Sequence, residues 1–292
     1  MAWIKYASFY LILLIGLGLG RIGTAAPLTL DVYNSNDAAG FAVTSVIVGG
    51  ERDALVIDAQ MGKSQAEALV ARVRASGKRL TTIYISHADP DYYFGLQTLS
   101  QAFPDARILA SAPTVAHIRA TMLAKLAFWG PQMGSEQPTR LVVPEIMEQD
   151  YLLLEGQRLE IFGLNGPQPQ RTVVWIPSIR AIVGGVLVSH HLHVWMADTT
   201  SPAAINAWKA SLLAIKALQP EVVVPGHYLD EPGQALQAVD FTLGYISDFQ
   251  QQAAANPNAE AMIAAMIARY PDLGDVAALE TSAKVAKGEM SW

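Results

Sequence analysis

The sequence predicts an α/β protein in which two packed sheets are flanked by helices. Strand-like apolar runs alternate with stretches of helical periodicity along most of the chain. They fall into two successive β-rich halves, each closed by helices. Metal-capable side chains sit where strands end, as in ISHADPDYYFGL at residues 85–96, which is where open α/β sheets place their sites.

The elements follow in order. FAVTSVIVGG and DALVIDAQ are strand-like, and Gly49, Gly50 and the charges after them mark a hairpin. In KSQAEALVARVRASGKR, Ala66, Leu69, Val70 and Val73 share one helical face, and Gly77 suits the C-terminal end. LTTIYIS is a strand that delivers the quoted motif, and RILAS then leads into the helix-prone TVAHIRATMLAKLAF. Residues 129–147 carry Pro and Gly and predict a linker or lid. YLLLEG, RLEIFGL, RTVVWIP and RAIVGGVLV form the second β series, followed by an amphipathic helix from about Pro202 to Leu218. The strand EVVVPGH precedes further helices.

The 292 residues are 51% apolar and 16% charged, so a large core can form and global disorder is excluded. A net charge of −6 with no basic block argues against nucleic acid as a partner. The absence of cysteine rules out disulfides, thiolate zinc sites and a thiol nucleophile. Lys5, the apolar ASFYLILLIGLGLG and the small residues of GTAAP predict an export leader over residues 1–26, cleaved near Ala25 or Ala26. The apolar run is short of the ~20 residues of a bilayer span, although a retained anchor is the alternative. Residues 27–292 are then expected as one domain, periplasmic or secreted.

His87, Asp89 and Asp91 stand at alternate positions, and Pro90 removes an amide and disfavours helix at Asp89, which favours a loop. Three metal-capable side chains in one loop suit an ion; two aspartates before YYFGLQTLSQAF equally suit a helix cap. His227 ends another strand in VVPGHY. SHHLHVWMADT adds His190, His191 and His193, half of the six histidines, and Asp198.

In the content and order of these segments the chain resembles the metallo-β-lactamase-fold hydrolases, from about Leu28 to Leu243. Their signature is H-x-H-x-D-H, a later His in a G-H-T-like turn, a bridging Asp in a G-D turn and a final His in P-G-H. The resemblance implies an αββα sandwich and a metal-dependent hydrolase of a small ester, lactone or amide. His87, Asp91 and His227 fall on ligand positions. Asp89 replaces the second His, as a carboxylate does in the flavodiiron branch, and Tyr92 replaces the His after the aspartate. Pro167 or a neighbour stands for the third metal-binding His, and Gly185 for the bridging Asp. These departures imply at most one divalent ion, Zn or the harder Fe or Mn, on His87, Asp89, Asp91 and His227, or no ion at all. Asp91 would serve as the catalytic base, while His193 and Tyr92 are auxiliary or substrate-facing, the latter as a donor to an oxyanion or as packing. Asp58 is expected to orient the loop, His117 to be structural, and Asp198 to cap the helix from Pro202. A binding or accessory protein that kept the fold without the chemistry is the alternative; oligomeric state is left open.

Overall fold

In the computed structural model, residues 26–36 and 41–292 are described; the expected leader lies outside them but for Ala26. The first sheet holds β1 (Thr29–Asn34), β2 (Thr44–Gly49), β3 (Asp53–Ile57), β4 (Arg79–Ile85), β5 (Arg107–Ala110) and β6 (Glu145–Ile146), in that order. β1, β2 and β3 are antiparallel neighbours, whereas β3 to β6 run parallel, because helices make the crossovers. α1 (Lys63–Ala75) buries the four apolar residues that its periodicity marks, and Gly77 follows it at φ +67°. After β4 come the short α2 (Pro90–Tyr93) and α3 (Leu96–Ala102), then α4 (Ala112–Met133), capped by the Ser111 side chain.

The second sheet is ordered β12 (Val222–Val223), β10 (Ala181–Val183), β9 (Val173–Ile176), β8 (Gln157–Phe162) and β7 (Tyr151–Leu154). A two-stranded ribbon joins β11 (Ser189–His190) in parallel to β13 (His227–Tyr228). α5 (Pro202–Ala217), α6 (Gln237–Ala255), α7 (Ala259–Arg269) and α8 (Val276–Ala286) complete the chain.

Three apolar clusters show how the layers meet. Val46, Leu55 and Ile57 of the first sheet pack against Leu159, Val174 and Ile176 of the second. The outer face of the first sheet buries Leu69, Leu99 and Ile118 from α1, α3 and α4. The outer face of the second buries Trp208, Ile246, Met262 and Leu279 from α5 to α8. The result is the αββα sandwich that the sequence predicts. At one end the Glu155 carboxylate, in the β7–β8 turn, accepts the backbone N–H groups of Glu51, Arg52 and Asp53 at 2.7–2.9 Å. That contact ties the hairpin turn of one sheet to a turn of the other. A Cβ on Gly50 would stand 2.7 Å from this carboxylate, so a larger residue there would displace the Glu155 side chain from its three bonds.

Two local expectations change. β1 has no counterpart in the sequence reading; its residues are mostly half-exposed, as befits an edge strand. α4 runs on to Met133, so the expected linker begins inside a helix, and Pro131 is accommodated near its C-terminal end. Among the described residues no helix is long and apolar enough to cross a membrane.

Candidate active site

The motif loop after β4 is placed by Asp58, which is buried and lies in the left-handed region at φ +64°. Its carboxylate accepts from the backbone N–H of Ser86 at 2.8 Å and from the Ser86 hydroxyl at 2.7 Å. Burial pushes the Asp58 carboxyl up to about 7, against the pull of these bonds. Asp58 thus orients the loop, as the sequence suggests. Gly95 lets the loop close onto its neighbour: a Cβ there would stand 2.0 Å from the Ala59 carbonyl oxygen.

The four expected ligands come together as two pairs. His87 Nε2 faces Asp89 Oδ2 at 3.0 Å, while its Nδ1 meets the Gln170 carbonyl at 3.2 Å. His227 Nε2 lies 3.3 Å from Asp91 Oδ2, and its Nδ1 is 2.7 Å from the Phe41 carbonyl. A carbonyl oxygen can only accept, so His227 carries its proton on Nδ1 and presents Nε2 as an acceptor. Tyr92 supplies the donor: its hydroxyl lies 2.8 Å from that Nε2. The Tyr92 ring also packs edge-on against both imidazoles, at centroid distances of 5.3 and 5.5 Å. Tyr92 is fully buried and burial raises its phenol well above the usual value, so it keeps its proton. It therefore donates to His227 while its ring packs against the two imidazoles, which is the packing role of the two that the sequence allows.

Lys125, on α4, closes the other pair. Its ammonium donates to Asp89 Oδ1 and, at 3.1 Å, to the Ala88 carbonyl. Burial alone would raise Asp89, but His87 and Lys125 outweigh it and hold the carboxyl well below its usual range. Asp91 goes the other way: burial, and then the charge of Asp89, push it up to about 7. Burial lowers His227. Asp89 precedes α2 but its side chain makes no cap bond, so the helix-cap alternative fails for it.

These groups border a cavity of about 740 Å³. Phe41, Phe128, Trp129, Trp195 and Trp292 form an aromatic wall, with Trp195 and Trp292 at 4.8 Å and Phe41 and Trp129 at 5.0 Å between centroids. Among the positions expected for lost ligands, Pro167 is exposed and does not border the cavity; Gln168, Gln170 and Arg171 do. Arg171 is 5% exposed and donates to Asp198 and Thr199 at 2.8 Å each, with its guanidinium over the Trp208 ring. Asp198 is thus an ion-pair partner, and the cap of α5 is Ser201, whose hydroxyl accepts from Ala204 N–H. Gly185 sits at φ +79°, and a Cβ there would stand 2.0 Å from the Thr172 carbonyl oxygen. No bridging aspartate has room at that position.

His193 borders the cavity but is 1% exposed, and its Nδ1 is 3.0 Å from the Tyr245 hydroxyl. Burial lowers it to about 4, so it is neutral near pH 7 and does not titrate there as its ordinary value suggests. His190 meets the Glu231 carbonyl and His191 the Asp230 carboxylate, both on half-buried positions. His117 is exposed and borders the cavity from α4. Lys125 and Arg171 are the site residues that sequence reasoning missed. The available signals were a lone cation within the apolar TMLAKLAFWG and a lone arginine just before TVVWIP.

A metal centre needs several lone pairs converging on one point. Among the described residues, no group of three or more His, Cys, Asp or Glu side chains is so placed. Lys125 neutralises Asp89, Tyr92 takes the His227 lone pair, and Gly185 excludes a bridging carboxylate. The residues as arranged fit neither the two-ion centre implied by the resemblance nor a single ion shared by His87, Asp89, Asp91 and His227.

A family model described as the metallo-beta-lactamase superfamily matches residues 38–227. Among solved structures, a metallo-beta-lactamase family protein of Thermus thermophilus superposes with a TM-score of 0.62 at 15% identity, over 89% of this chain and 91% of that one. A metallo-beta-lactamase from Pontibacter korlensis gives 0.53 at 18% identity, over 77% and 96%. One from Pseudomonas aeruginosa, solved in its mono-zinc form, gives 0.51 at 17% identity, over 76% and 96%. At such identities the likeness is one of fold. No curated protein matches the chain.

Proposed function

The chain belongs to the metallo-beta-lactamase superfamily, a superfamily of metal-dependent hydrolases, and we propose that its cavity hydrolyses a small ester, lactone or amide bearing an apolar group. The observation that carries this reading is Asp91, a buried carboxylate raised to about 7 beside a neutral imidazole, at the edge of an aromatic-walled cavity. A base with that value is half ionised near neutral pH and still basic enough to take a proton from water. As it does so, the water oxygen bonds to the substrate carbonyl carbon and the carbonyl electrons move onto oxygen. Lys125 has three N–H donors, two of them directed to Asp89 and Ala88. The third is suited to the developing oxyanion. The oxyanion electrons then re-form the carbonyl, the bond from its carbon to the leaving oxygen or nitrogen breaks, and the proton held by Asp91 passes to that departing atom. The aromatic wall selects an apolar acyl or leaving group by burying it.

A binding role without turnover is the second reading, favoured by the close pairing of Lys125 with Asp89. A panel of small aryl and alkyl esters, lactones and amides, assayed with quenching of tryptophan fluorescence recorded in parallel, separates the two. Repeated turnover supports hydrolysis, whereas saturable quenching without product supports binding alone. We further propose export, with residues 1–26 removed; Lys5, the apolar run and GTAAP support it. Intact mass of the protein recovered outside the cytoplasm tests it, and a mass retaining Met1 to Arg21 contradicts it.

A further inference from the structure

We infer that Lys125 and Tyr92 stand in for metal ions, so that this chain keeps its fold and its cavity with no metal bound. An ion between a histidine and a carboxylate does two things: it offsets the buried negative charge, and it occupies the imidazole lone pair. Here those two tasks are divided between protein groups. The Lys125 ammonium lies against Asp89 and anchors on the Ala88 carbonyl, so a fixed cation already serves the first pair. The Tyr92 hydroxyl occupies Nε2 of His227, whose other nitrogen is committed to the Phe41 carbonyl. Each substitute comes from a packed element: Lys125 from the long helix α4, and Tyr92 from α2 with no exposure. An incoming ion would therefore have to displace an ammonium and break a buried hydrogen bond, and it would find only one imidazole and one carboxylate in either pair.

The inference goes beyond the hydrolytic reading and does not depend on turnover, because its test reads metal content and thermal stability. The full chain is purified, dialysed against a chelator, exposed to Zn²⁺ and dialysed again. Elemental analysis is expected to find well under one ion per chain, and Zn²⁺ is expected to leave the thermal midpoint unmoved. Tyr92→His combined with Lys125→Ala places a third donor beside Asp91 and His227 and removes the resident cation. That variant is expected to retain about one ion, the three protein donors with water completing the four-coordinate set usual for zinc. Its midpoint should rise on adding Zn²⁺. Tyr92→His alone, which leaves Lys125 in place, carries the same expectation in weaker form should the double variant fail to fold. A wild-type chain that keeps a full equivalent of metal after dialysis overturns the inference. So does a folded Tyr92→His variant that takes up no more zinc than wild type.

Discussion

The Tyr92 hydroxyl donates to Nε2 of His227 across 2.8 Å, joining the motif loop after β4 to the start of β13. This bond links the loop to the ribbon strand, and it occupies the His227 nitrogen that the Phe41 carbonyl leaves as an acceptor. Tyr92→Phe leaves a buried imidazole acceptor unpaired and should cost about 1–2 kcal/mol of stability. Urea unfolding of Tyr92→Phe, His227→Ala and the double variant measures it as a coupling energy. Strict additivity of the two single changes would remove the bond from consideration.

Gly185→Asp places a side chain where the family's bridging carboxylate is expected. In this chain the Cβ would stand 2.0 Å from the Thr172 carbonyl oxygen, on a backbone at φ +79°. The substitution should therefore lower stability by more than about 3 kcal/mol and not create a metal site. A folded variant with an unchanged thermal midpoint contradicts this placement of the turn.

Glu155 accepts three backbone N–H bonds, which lower its carboxyl from the usual 4.5 to about 2. Its folded value is depressed, so the stability it contributes is present above 4.5 and is lost as pH falls through about 2. Glu155→Gln should be less stable than wild type at neutral pH, and the gap should narrow on acidification through that window. A gap that is constant with pH indicates that the tie between the two sheets does not depend on the ionised carboxylate.

His193 is held neutral by burial, which lowers it from 6.5 to about 4. The unfolded chain takes up a proton at higher pH than the folded one. Stability should thus fall as pH drops from 6.5 towards 4, by up to about 3 kcal/mol. His193→Asn should flatten that part of the pH profile while altering neutral hydrolysis only modestly. An undiminished slope in the variant assigns the acid sensitivity elsewhere.

Much of this fold is legible in the sequence because one physical signal dominates it. The α1 face of Ala66, Leu69, Val70 and Val73 and the turn at Gly49 and Gly50 are local patterns, and both stand where periodicity puts them. His87 follows the end of β4 as the strand pattern suggests, whereas Asp91 lies in the short α2 instead of a loop and His227 opens β13 instead of ending the strand before it. The partners of these residues are not legible, because partnership is set by tertiary placement. Lys125 reaches Asp89 from a helix that begins more than twenty residues later, and its sequence neighbourhood is that of an apolar helix. Asp198 shows the converse: it resembles a cap before Pro202, but buried Arg171 claims it and leaves the cap to Ser201. His193 looks like a titrating site group because its ordinary value lies near neutrality, and only its burial shows otherwise.

Hydrolysis by Asp91 without a metal is tested most directly by initial rates of wild type and Asp91→Asn, measured with an excess of chelator on the ester turned over best. Both proteins are first matched for thermal midpoint. Wild-type turnover should survive the chelator, and Asp91→Asn should lose at least about 100-fold, the lower range for removing a general base. Turnover that vanishes with chelator and returns with Zn²⁺, or that persists in Asp91→Asn, contradicts it.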